Sequence, residues 1–119
     1  MCLDRLEKFP VRKNKDGWVV AWKVFYSQIG QRLKFSWRDG GVGIGTKVHV
    51  AKGKALLIDE ETTYQAGFHA YTNKQDAVWM AGFYGEFCRR VLLKDITATG
   101  WQNGFRVIVA RKMIVPKEG

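Results

Sequence analysis

From Trp18 to Tyr26 the alternate residues Trp18, Val20, Trp22, Val24 and Tyr26 are apolar, and so are Val19, Ala21 and Phe25 between them, leaving Lys23 as the one polar position. Such a run predicts a strand covered on both faces. After a turn at Gln28, Ile29 and Gly30, residues 32–37 alternate cleanly, with Leu33, Phe35 and Trp37 on one side and Arg32, Lys34 and Ser36 on the other. This predicts a half-exposed strand, hairpin-paired with the first, and Arg38 shares the parity of Arg32 and Lys34. Residues 39–46 form a glycine-rich loop, 47–50 resume an extended pattern with a further strand expected in 47–58, and 59–63 are a polar connection.

A short strand is expected over Ala66 to Tyr71, followed by Thr72 and Gln75 at capping-box spacing. In that motif the two side chains satisfy each other's free backbone donors at a helix start. Ala77, Met80, Ala81 and Tyr84 recur at helical spacing, Asp76 complements the dipole in the first turn, and Gly82 and Gly85 end the helix after about three turns. A second hairpin runs from Phe87 to Thr99, through a loop at 100–104, and from Phe105 to Val115, with Asn103-Gly104 as its turn signal and Pro116 as its stop. Residues 1–16 read as an irregular basic arm closing in a turn at Gly17. The pattern as a whole predicts one α+β domain over residues 1–119, a mainly antiparallel sheet of five or six strands with one packed helix.

Composition agrees with that outline. At 119 residues and 46% hydrophobic, with Trp 5, Tyr 4 and Phe 7, the chain has apolar area enough for one core and too little length for two domains. Its apolar runs, Trp18 to Trp22 and Ala55 to Ile58 among them, are far below the roughly 20 residues that a membrane helix needs. The acidic start, with Asp4 and Glu7, is unlike a secretory leader, so a cytoplasmic location is expected. Cys2 and Cys88 are too few for a disulfide framework and are expected as free thiols.

Charge changes the picture most. Lys+Arg 20 against Asp+Glu 11 gives a net charge of +9, which attracts phosphate-bearing partners, nucleic acid or a nucleotide first among them. A basic surface also serves solubility alone. The candidate ligand-binding residues are Arg32, Lys34 and Arg38, helped by Arg89, Arg90 or Arg106. Arg89 and Arg90 are neighbours in a strand and point to opposite faces, so only one can join a given patch.

Other chemistry is thinner. Gly40, Gly41, Gly43 and Gly45 precede Thr46 and Lys47, but a phosphate loop needs its lysine directly after the last glycine and a helix beyond it. His49, His69, Cys2 and Cys88 contain no close pair of the kind a metal site uses, so no metal is expected. Cys88 reads as a small core residue. Cys2 would become an N-terminal nucleophile only if Met1 were removed. His69 is a candidate general base, with Glu86 or the carboxylates Asp59, Glu60 and Glu61 as possible partners, or else a core-edge residue bonded to nearby backbone. Neither Gly67 to Tyr71 nor Gly104 to Val107 fits the RNA-binding RNP1 pattern. Most tryptophans read as core, with Trp101 at the hairpin tip the exposed one.

Met1-Cys2-Leu3, the segment Ala66-Gly67-Phe68-His69-Ala70-Tyr71 followed by Asp76-Ala77, and Val107 to Met113 resemble a group of small uncharacterised phage and bacterial proteins. That resemblance implies a phage accessory protein, located in the host cytoplasm, and no particular activity. The stretch from Tyr64 to Ala81 is also similar to the strand-to-helix motif of ADP-ribosyltransferase-like folds. That likeness implies NAD chemistry with His49 and Glu86 in the upstream and downstream roles. The leading expectation is a non-catalytic protein, without a cofactor, that binds an anionic ligand through a basic face. The alternatives are a small enzyme using His69 with Cys2 or a carboxylate, and an interaction protein that inhibits a host factor.

Overall fold

The structure, a computed structural model, describes residues 3–25, 27–29, 32–34, 42–51, 55–57, 63–84 and 87–117. Its main sheet is antiparallel and contains β1 (Arg5–Leu6), β2 (Val19–Phe25), β6 (His49–Val50), β9 (Phe68–Tyr71), β10 (Phe87–Gln102) and β11 (Phe105–Ile114), in the order β1-β10-β2-β9-β11-β6. β10 also pairs with β11, so the sheet curls until the path β10-β2-β9-β11 closes on itself. Two small sheets accompany it: β3 (Ser27–Ile29), β4 (Arg32–Lys34) and β5 (Val42–Gly43) in one, β7 (Ala55–Leu57) and β8 (Thr63–Gln65) in the other. One helix, α1 (Lys74–Tyr84), packs on β2, β9 and β10. The α+β class and the six-stranded antiparallel sheet are as the pattern predicts.

β2 is covered on both sides, as its apolar run demands. Val19, Ala21 and Phe25 enter the larger core with Leu33 and Val42 of the second sheet, and Trp22 and Val24 enter a smaller core with Tyr64, Ala77 and Met80. The expected first hairpin is overturned. β2 pairs along its whole length with β10 and at Trp22 with Tyr71 of β9, so its edges are taken within the main sheet and Arg32–Lys34 pair elsewhere. β4 instead pairs with β3 and β5, so Gln28 and Ile29 belong to a strand and not to the turn.

The second hairpin is longer than its loop residues imply. Pairing continues to Gln102 opposite Phe105, and the turn contracts to Asn103 and Gly104, at φ 56° and 83°. Positive φ at both positions suits a turn that follows the right-handed twist of the strands. Asp95, at φ 58°, lies beside a register shift between Ile96 and Ala98, and its carboxylate sits 3.1 Å from Lys112. That ion pair offsets the repulsion of Lys94 and Lys112, which face each other across the strands.

Two further expectations are corrected. The arm is not wholly irregular: Asp4 and Glu7 donate backbone hydrogen bonds to the Trp101 and Thr99 carbonyls, which makes residues 5–6 a strand on the edge of β10. The helix is capped one residue later than the Thr72–Gln75 spacing implies. The Thr72 N–H is drawn to the Arg106 carbonyl, extending the β9–β11 ladder, and Asn73 Oδ1 accepts the hydrogen bond from the Gln75 N–H at 3.2 Å. Ala77, Met80 and Ala81 are buried as their spacing predicts.

Candidate functional site

The arm, the hairpin tip and the register of three strands assemble one cationic row. Arg5 of β1 lies opposite Trp101 of β10, and Trp101 lies opposite Arg106 of β11. Residues directly opposite in neighbouring strands project from the same face about 5 Å apart, so a tryptophan is held between two guanidinium groups. The Arg5 guanidinium stands 5.1 Å from the Trp101 ring centroid and that of Arg106 stands 5.6 Å from it, and Arg106 also covers Phe9 at 5.3 Å. Such contacts are worth about 0.5–1 kcal/mol each at exposed sites. They hold the two guanidinium groups against the rings while both arginines stay exposed. The indole N–H donates to the Glu7 carboxylate, and the Thr99 hydroxyl donates to the Glu7 carbonyl at 2.6 Å. Asp4 accepts the Asn103 N–H at 2.9 Å. Among the described residues, the Asp4 and Glu7 carboxylates thus hold the arm to the hairpin tip.

Beside the row lies a groove of about 340 Å³ between the arm and the sheet, lined by Pro10, Val11, Arg12, Val20, Thr72 and Ile108. Its position follows from the strand period. Ile108 is in the larger core, Arg106 is two residues nearer the tip on the same side, and Thr72 is bonded to the Arg106 carbonyl. The Arg12 carbonyl accepts the Val20 N–H at 2.8 Å, closing the other wall.

Of the cations named from sequence whose side chains are described, Arg106 alone is placed in this row. Arg89 is in β10 but near its other end, twelve residues along the strand from Trp101. It donates to the Pro116 and Lys117 carbonyls at 2.7 and 3.0 Å, tying down the end of the chain. Arg90 pairs with Trp22 while Arg89 pairs with Lys23, so the two do diverge as their adjacency predicts. The backbones of Arg32 and Lys34 are in β4, but their side chains, like Arg38 as a whole, lie outside the described residues. Arg5, Arg12 and Phe9 were not singled out from sequence, because nothing local links them to a hairpin tip more than ninety residues away. Trp101 is half-buried under the two arginines, and Trp79 on α1, 61% exposed, is the more open ring.

His69 is bound at both ring nitrogens. The Gly67 carbonyl, 3.1 Å from Nδ1, can only accept, so Nδ1 carries the proton and Nε2 accepts from the Tyr64 hydroxyl at 3.0 Å. The Tyr64 oxygen in turn accepts the Leu3 N–H at 2.9 Å. Lys23, only 6% exposed, donates to the His69 carbonyl at 2.6 Å. Burial, and then the Lys23 charge, lower the His69 pKa to about 4, against a smaller opposing effect of the Gly67 hydrogen bond. The lone pair that a general base would use is thus already engaged. Cys2 and Glu86, and with them Asp59, Glu60 and Glu61, lie outside the described residues, whereas Cys88 is a half-buried free thiol against the smaller core.

A neutral buried His69 has a stability consequence with a definite sign. The unfolded chain takes up this proton below its ordinary pKa of 6.5 while the folded chain resists until about 4. Stability is therefore full above pH 6.5 and declines as pH falls towards 4, by about 2 kcal/mol between pH 7 and pH 5. Urea melts at the two pH values, compared with those of His69→Gln, measure it. An identical pH slope in the variant would show that the loss comes from other groups.

Among the described residues no three His, Cys, Asp or Glu side chains are grouped to hold a metal ion, and no helix is long and apolar enough to cross a membrane. Comparison with known proteins finds no matching family model, no matching curated protein and no matching solved structure.

Proposed function

We propose that this protein binds a polyanion, nucleic acid first among them, through the surface formed by Arg5, Arg12, Arg106 and Trp101. The observation that carries this reading is the row in which two arginines from different strands are stacked on one tryptophan. Stacking orders each guanidinium in advance, so less side-chain entropy is lost when a phosphate is bound. The surplus of +9 supplies the long-range attraction, and counterion release supplies affinity. Lys8 and Lys13 are further exposed cations on the same arm. A histidine with both nitrogens engaged lends no comparable support to the catalytic alternative.

Binding of a labelled oligonucleotide, measured by anisotropy at several salt concentrations, is expected to weaken steeply as salt rises. The double substitution R5A/R106A is expected to reduce the slope of log affinity against log salt by about 2 and to weaken all sequences alike. A salt-independent signal, or a double variant that binds as the parent does, would remove this reading.

A further inference from the structure

Resting on the polyanion reading, we infer that the groove beside Arg106 takes one unpaired base, which makes single-stranded nucleic acid the preferred ligand over duplex. The groove has a mixed lining. Pro10, Val11, Val20 and Ile108 contribute its apolar part, and with the Thr72 hydroxyl and the Arg12 cation it presents at least as much polar surface as apolar. Its volume of about 340 Å³ is at the small end of the range for organic ligands.

The neighbouring row supplies the complement. Thr72 is bonded to the backbone of Arg106, and Arg106 lies over Phe9, the residue before Pro10, so the cationic row and the groove share an edge. A strand whose phosphates lie along Arg5 and Arg106 therefore has its next base beside the slot, with Arg12 placed for the following phosphate. In a duplex both faces of that base are stacked and its pairing edge is occupied, so only an unpaired nucleotide can turn into the groove. A plain polyanion would engage the row and leave the slot unused.

The discriminating experiment compares labelled oligo(dT), its duplex with oligo(dA), and inorganic polyphosphate of similar charge, all at one salt concentration. Oligo(dT) is expected to bind at least tenfold more tightly than the other two. Val11→Phe, which fills the slot, should bring oligo(dT) down to the polyphosphate level without changing polyphosphate affinity. Thr72→Gln, which narrows the slot from the sheet side, gives the same comparison if circular dichroism shows Val11→Phe unfolded. Equal affinity for oligo(dT) and polyphosphate, or slot variants that weaken both alike, would overturn the base slot and leave the cationic surface standing. Failure of all three ligands to bind would overturn both.

Discussion

Gly67→Ala is expected to destabilise the fold by on the order of 3 kcal/mol and to lower the thermal midpoint by roughly 10 °C. A Cβ at this position would stand 2.4 Å from the Ala110 carbonyl oxygen and 2.9 Å from its carbon, both main-chain atoms of β11. No rotamer change relieves such a contact. β9 and β11 must separate where Phe68 pairs with Ala110, and that pairing is one side of the closed path of strands. Phe68 and Ala110 are both almost fully buried in the larger core, so the displacement opens the centre of the molecule. The Gly67 carbonyl would also leave His69 Nδ1, removing the contact that favours the protonated ring. Thermal melts monitored by near-ultraviolet circular dichroism measure the effect, and a midpoint within a degree or two of the parent's would show that the strands accommodate the methyl group.

Gly100→Ala is expected to do something different, releasing the arm while leaving the rest folded. Here the added Cβ would meet the Arg5 carbonyl oxygen at 2.1 Å and Leu3 Cδ1 at 3.1 Å. The obstructing strand is a two-residue edge, held from one side, and it yields at less cost than β9 would. Its departure uncovers Leu3, frees Glu7 from Trp101 and takes Arg5 out of the cationic row. Limited proteolysis should then cut between residues 3 and 13 at a rate at least tenfold above the parent's, with oligonucleotide affinity down about tenfold. If the arm stays protected and affinity is unchanged, the arm does not build the binding surface.

What the sequence disclosed follows the range over which each interaction acts. The Asn103-Gly104 turn, the buried stripe of Ala77, Met80 and Ala81, and the two-sided burial of Val19 to Phe25 are decided by neighbours a few residues away, and periodicity shows them directly. The partner of Arg106 was legible only in half. Its parity with Ile108 places it on a known side of β11, but Arg5 joins it through two strand registers that no local pattern encodes. Thr72 carried a good capping signal and lost to the Arg106 carbonyl, a tertiary hydrogen bond overriding a local one. Gly67 and Gly100 look like ordinary breaks in strand patterns, since close approach of another backbone leaves no mark on the sequence around them.

The stitching of Asp4, Arg5 and Glu7 to residues 99–103 also sets an order of events during synthesis. Asp4 and Glu7 have their hydrogen-bonding partners more than ninety residues later in the chain, so they must wait while the intervening chain emerges. β2 waits too, since its main partner is β10. Pairings so distant along the chain place folding in the slow, millisecond-to-second range of β-rich domains. Until the final hairpin closes, the aromatic residues of the nascent polypeptide stay open to chaperones.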